Sequence, residues 1–241
     1  MNNPYIYINR KKQVKKDIID MNNGNNTIKK ERKSKIKRQC INKEILNYLI
    51  EMIEFIESDE KKIFNIILLN TLLYFTGCRI GEILILDKSN IKELFEKEEY
   101  NIYCPKTKTN RKIYLSLDGK NSILKYLNVN ENDFFNKLNE KGLVNLYNNK
   151  LDKRISYYWM EQYFKLLTKN YYDHPNPNNE IVYNFHSFRT NYINTMCRAS
   201  NNIDEVSKLI GHKNIYTTFI YWRENHIDKE KIKNTLNKAL L

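Results

Sequence analysis

Residues 63–75 form a run in which only Asn65, Asn70, Thr71 and the hydroxyl tip of Tyr74 are polar, and the run stops at Thr76-Gly77. A helix that is apolar all round has no face to give to water, so this segment reads as a buried helix. It is too short to span a bilayer, and no other apolar run in the chain reaches that length. Upstream, Asn42 is placed as an N-cap, and Ile45, Leu46, Leu49, Ile53 and Ile56 recur on one helical face behind it.

The pattern changes after residue 100. Residues 102–105 and 112–115 read as two short strands joined by the polar Thr107-Lys108-Thr109-Asn110 segment, a hairpin with a basic tip. Helical patterning returns from Ser122, with a helix near residues 157–169, a Pro- and Asn-rich loop at 174–179 and further helices after His186. Residues 228–241 place Ile232, Leu236 and Leu240 at four-residue spacing, a small amphipathic helix. The expected fold is mainly α with a small antiparallel β-sheet.

Charge restricts the partner. The chain has 241 residues, with 41 Lys and Arg against 28 Asp and Glu, a net +13. Residues 1–40 hold 12 of the basic side chains and 3 of the acidic ones, so +9 of the excess lies there. Such an arm suits a polyanion, and its alternative is a solvated tail. Cys40, Cys78, Cys104 and Cys197 are widely spaced, which suggests neither a disulfide framework nor a zinc site. The polar start, Met1-Asn2-Asn3-Pro4-Tyr5, is unlike a secretory signal, so an intracellular protein is expected. Heavy use of Asn, Lys, Ile and Tyr fits an AT-rich genome: plastid, plasmid or low-GC bacterial.

Five short signals then follow in order: Thr76-Gly77-Cys78-Arg79-Ile80-Gly81-Glu82, the Lys106 hairpin, His186-Ser187-Phe188-Arg189, Leu209-Ile210-Gly211-His212, and Tyr221. Each alone is weak. As an ordered set over roughly residues 41–226 they resemble the catalytic domain of the tyrosine recombinase, or phage integrase, family. Its last motif looks like Leu209-Ile210-Gly211-His212-Lys213-Asn214-Ile215-Tyr216-Thr217-Thr218, and the interval from His212 to Tyr221 is similar too. The usual His-x-Leu-Arg-His motif reads His186-Ser187-Phe188-Arg189-Thr190 here.

The resemblance implies Tyr221 as nucleophile, Arg79 and Arg189 on the phosphoryl oxygens, His186 as proton acceptor, His212 as hydrogen-bond donor, and Lys106 as general acid with Lys108 as runner-up. The chemistry suits these residue types. Tyrosine can form a covalent phosphodiester, planar guanidinium groups bind phosphoryl oxygens bidentately, and imidazole titrates near neutrality. Glu82 is read as orienting an arginine or histidine, with a surface ion pair as its alternative. No metal and no cofactor are called for.

The expected organisation is a basic, DNA-contacting arm at 1–40, a catalytic domain at 41–227 and a helix at 228–241 exchanged between subunits. The arm is too short for the separate core-binding domain of most members. Double-stranded DNA is the expected partner, a homotetramer on DNA the expected assembly, and no membrane is involved. Two other readings stand beside this one: a topoisomerase of type IB, which relaxes DNA alone, and a DNA-binding relic that has lost turnover.

Overall fold

The computed structural model describes residues 39–145, 155–156, 161, 163–164 and 183–226. The arm (apart from residues 39 and 40), the loop at 174–179 and the closing helix at 228–241 lie outside these residues, as does nearly all of the helix expected at 157–169.

Asn42 caps α1 (Lys43–Ile56), its side chain accepting from the Ile45 N–H at 3.0 Å. Ile45, Leu46, Leu49 and Ile53 are buried on one face, as the spacing requires. The apolar run forms α2 (Glu60–Thr76). It begins three residues earlier than the hydrophobicity suggests, because Asp59 accepts from the Lys61 and Lys62 N–H groups and carries the charged first turn into the helix. Ile66 through Leu69, Leu72 and Leu73 are essentially inaccessible, and α2 is the centre against which α1, α5 and α7 pack. It ends at Gly77, whose φ of +61° is a left-handed cap, and a Cβ there would sit 2.3 Å from the Tyr192 ring.

The short α3 (Ile80–Ile83) and α4 (Lys88–Lys97) follow, then an antiparallel hairpin of β1 (Glu99–Cys104) and β2 (Thr109–Tyr114). The strands are longer than the apolar residues alone indicate and the turn sits earlier, at residues 105–108. Glu99 and Lys112 extend the ladder with an ion pair at 3.0 Å, which hydrophobic alternation does not register. The next helix, α5 (Leu117–Leu127), starts before Ser122 because Ser116 caps it. After α6 (Glu131–Lys137) a two-residue parallel bridge pairs β3 (Val144–Asn145) with β4 (Ile155–Ser156).

Three further helices complete the described chain: α7 (Phe185–Ala199), α8 (Ile203–Ile210) and α9 (Ile215–His226). The main core gathers α1, α2, α4, the hairpin and the start of α7, with Phe95 and Phe134 stacked at 4.4 Å between ring centres. A second, smaller cluster of Ile193, Cys197, Val206 and Ile210 joins α7 to α8, and Tyr221 and Trp222 of α9 pack on it. The protein is thus mainly helical with a small antiparallel sheet. None of the described helices is long and apolar enough to cross a membrane.

Candidate active site

Two sharp turns and one hairpin converge on the start of α7. The first turn follows Gly77 and delivers Arg79. Glu82, one helical turn on, is 1% exposed, and its carboxylate accepts the Arg79 N–H at 2.9 Å and Arg79 Nη1 at 2.7 Å. The surface alternative for Glu82 does not describe this geometry. Burial works against its charge, but the Arg111 guanidinium and the Arg79 donors hold the carboxyl at about 2.

Arg189 is the largest fully buried side chain among the described residues, at 1% exposure. Its Nη1 donates to the Gly77 carbonyl at 2.8 Å and its Nη2 to the Ile210 carbonyl at 2.6 Å. One planar group therefore ties the turn before Arg79 to the turn before His212. Burial, reinforced by Arg79 and Arg111, draws its pKa to about 10, still far above neutrality, so it remains a cation.

The second turn is made by Gly211, which ends α8 with φ +71°. His212 follows, and its Nδ1 lies 2.8 Å from Oγ1 of Thr218, a residue with no exposed surface on α9. Burial first, then the charges of Arg189, Arg79, His186 and Arg111, lower the His212 pKa to about 4. His186 sits in the first turn of α7, where its N–H donates to Asn184 Oδ1 at 2.9 Å. Tyr221 lies on α9, half-buried. Lys106 and Lys108 stand exposed in the hairpin turn, where Lys108 adopts φ +52° and its N–H closes the turn on the Cys104 carbonyl at 2.8 Å.

The structure thus brings Arg79, Glu82, Arg189, His186 and His212 into one mutually interacting cluster, sets Tyr221 on the adjoining helix and leaves Lys106 at a projecting tip. Two participants escaped the sequence reading. Arg111, one of the basic residues of the hairpin, has a side chain only 8% exposed and donates Nη2 to Glu82 Oε2 at 2.8 Å. Its signal was strand alternation, since it shares a face with buried Ile113. Thr218 lay inside a quoted motif without a role.

Two guanidinium groups, of Arg79 and Arg111, therefore share the Glu82 carboxylate, and a third, of Arg189, lies close by without a carboxylate partner of its own among the described residues. Nε of Arg111 and Nε of Arg189 are both buried without an acceptor. A cluster with surplus positive charge and spare buried donors is a receptor for an anion.

These features carry two expectations that need no substrate. Arg189→Met strips the donors from two buried carbonyls, at about 1–3 kcal/mol each, and the relief of repulsion with Arg79 and Arg111 returns part of that. We expect urea denaturation to show a net loss of about 2 kcal/mol, with Arg189→Lys little better because one ammonium cannot serve two separated carbonyls. A variant as stable as the wild type would contradict the cross-tie.

The second concerns acid. A histidine held below its free value of about 6.5 takes up its proton more readily unfolded, so stability falls as pH drops from about 6.5 towards 4. Glu82, with its folded value about 2, adds stability above about 4.3 that is lost as pH falls towards 2. Thermal melts between pH 7 and pH 3 should decline in these two stages, and His212→Asn should flatten the first. An unchanged slope in that variant would show that His212 is not the group responsible.

The fold and the cluster define a helical domain that holds a cationic cluster beside a tyrosine-bearing helix. The chain belongs to the phage integrase family, whose model matches residues 44–227. It is similar in structure to XerA recombinase at 18% identity and a TM-score of 0.52, over 88% of this chain and 67% of that one. It is similar also to XerH site-specific recombinase bound to its difH substrate, before cleavage, at 20% identity and 0.54, over 88% and 57%. A third match is the Tn1549 transposon integrase with transposon right-end DNA, at 15% and 0.54, over 96% and 85%. The chain thus spans little more than half the length of XerH. Comparison with curated proteins gives no match.

Proposed function

We propose that this protein is a site-specific recombinase that cleaves and rejoins duplex DNA through a 3′-phosphotyrosyl intermediate. The observation that carries the reading is the surplus of guanidinium charge, most of it shielded from water, at the junction of the Arg79 and His212 turns. A phosphodiester supplies the missing anion, and family membership supplies the kind of reaction.

In this reading Arg79 and Arg189 bind the non-bridging oxygens and stabilise the charge that builds on them. His212, neutral and accepting the Thr218 hydroxyl at Nδ1, carries its one N–H on Nε2 and donates it to the same phosphoryl group. The Tyr221 hydroxyl attacks phosphorus while its proton passes to His186. The bond to the 5′ oxygen breaks, and Lys106 gives that oxygen its proton. A 5′ hydroxyl from a partner duplex then reverses each step, so phosphodiester bonds are conserved and no cofactor is consumed.

The same reading assigns residues 41–227 to catalysis, the arm at 1–40 to phosphate contacts along the duplex, and residues 228–241 to exchange between subunits of a tetramer. The test is incubation with a suicide duplex from the protein's own replicon, followed by denaturing electrophoresis. A denaturant-resistant protein–DNA adduct is the expected result. DNA binding with no adduct on any substrate would replace this reading with the non-catalytic one. An adduct accompanied by relaxation of supercoils by the monomer would replace it with the topoisomerase.

A further inference from the structure

The proposed reaction puts Arg79 and Arg189 on the phosphoryl oxygens, yet a third, largely buried guanidinium lies beside them and comes from a different element. Arg111 lies on β2 directly across from Ile102, and its side chain is 8% exposed. It touches two other parts of the site's frame. Nη2 donates to Glu82 Oε2 at 2.8 Å and lies 3.5 Å from Cys78 Sγ, both on the Arg79 turn, while Nη1 reaches the Leu209 carbonyl at 3.3 Å at the end of α8.

Gly211 makes room for it: a Cβ at that position would lie 2.4 Å from Arg111 Cδ and 3.2 Å from Nε. The glycine before His212 is thus required twice, by its backbone angle and by the arginine stem laid across it.

We propose that Arg111 is a positioning residue that locks the Lys106 hairpin to the Arg79 turn and the His212 turn, so that groups from three separate segments hold one geometry. The proposal rests on the recombinase reading for its kinetic consequences but not for its structural ones. Its logic is that of a shared carboxylate. With Arg111 present, Glu82 divides its two oxygens between two arginines and Arg79 keeps donors to spare. Without it, Glu82 and Arg79 form a closed pair and the hairpin loses its only described ionic tie to that turn.

Hydrogen exchange followed by mass spectrometry reads the lock with no DNA at all. Arg111→Met should raise exchange in residues 102–113 and 207–212 and leave α1 and α2 unchanged. Arg111→Lys keeps charge and most of the stem, guards against simple misfolding of the methionine variant, and should open the same two segments because an ammonium cannot span Glu82 and the Leu209 carbonyl. Exchange identical to wild type in the lysine variant overturns the proposal, whether or not the wild-type protein cleaves DNA.

Where the wild type forms an adduct, both variants should form it about 100-fold more slowly at saturating DNA, the scale set by a misplacement of about 1 Å, with DNA affinity within about threefold. The pH profile separates positioning from a general loss of fold. The groups facing Glu82 are Arg79 and Arg111 by direct bonds, the Cys104 thiol beside it, and Arg189 and Cys78 through space. Removing the Arg111 charge lets Glu82 take a proton at a higher pH. Arg111→Met should therefore lose rate as pH falls from 7 to 5 more steeply than wild type, and Glu82→Gln in the same chain should remove that extra slope. A profile parallel to wild type, or losses in Arg111→Met and Glu82→Gln that multiply in the double variant, would assign Arg111 to packing alone.

Discussion

Tyr221→Phe is expected to abolish the covalent protein–DNA adduct while leaving DNA affinity within about threefold and stability within about 1 kcal/mol, the worth of one hydroxyl's hydrogen bonding. The tyrosine is selected by the helix it stands on. Thr218 is wholly buried and meets His212, which fixes the face that α9 turns to the cluster. Tyr221 follows three residues later, about 60° round from Thr218, on that same face. Tyr216 precedes Thr218 by two residues, about 160° away from it, and is 73% exposed. Tyr216→Phe should therefore leave the adduct intact. Denaturing gels with a suicide duplex check both variants together. An adduct that survives Tyr221→Phe and disappears in Tyr216→Phe would mean that α9 turns over when DNA binds, and the site would have to be rebuilt around the exposed face.

What could be read from the sequence depended on whether a residue's role is local. Asn42, Gly77 and Gly211 act on their own helix ends, through a cap bond or a left-handed angle, and their positions in the chain state those roles. The apolar run behaves likewise, because a segment without a polar face has one destination. Element limits were harder. α2 and α5 are started by Asp59 and Ser116, single polar residues that shift a boundary without altering the hydrophobic pattern.

The site divides along the same line. The motif order singles out Arg79, His186, Arg189, His212 and Tyr221, but nothing local says that Arg189 spends two donors on carbonyls 112 and 21 residues away. Nor does a basic hairpin announce which of its cations turns inward. Lys106, Lys108, Arg111 and Lys112 look alike by composition. Lys106 and Lys108 fall in the turn, and the pleat separates the other two, sending Arg111 to the side of Ile113 and Lys112 to the opposite side, where it meets Glu99. Alternation counted from Ile113 would have identified Arg111, although not its partner, because Glu82 is 29 residues away in another element.

Lys106→Ala is expected to slow adduct formation about 1,000-fold, within the range for a positioned general acid, and the choice between Lys106 and Lys108 can be made by changing the leaving group. Both lysines stand exposed at the hairpin turn, as suits a group that acts only after a duplex has been laid against the site. An alkoxide leaving as such is a poor leaving group, so the proton matters. A thiol ionises near 8.5, many units below an alcohol, and a substrate with sulfur in place of the bridging 5′ oxygen departs without a proton. Lys106→Ala should therefore cleave the sulfur substrate within about tenfold of wild type while remaining slow on the oxygen one, the reverse of a binding defect, which would slow both alike. Lys108, held at φ +52° with its N–H closing the turn, should give an alanine variant that is near wild type on both substrates. Single-turnover rates on the paired duplexes decide the matter. Sulfur rescue of Lys108→Ala in place of Lys106→Ala would move the acid two residues along the turn, and rescue of neither would take the proton donor off the hairpin altogether.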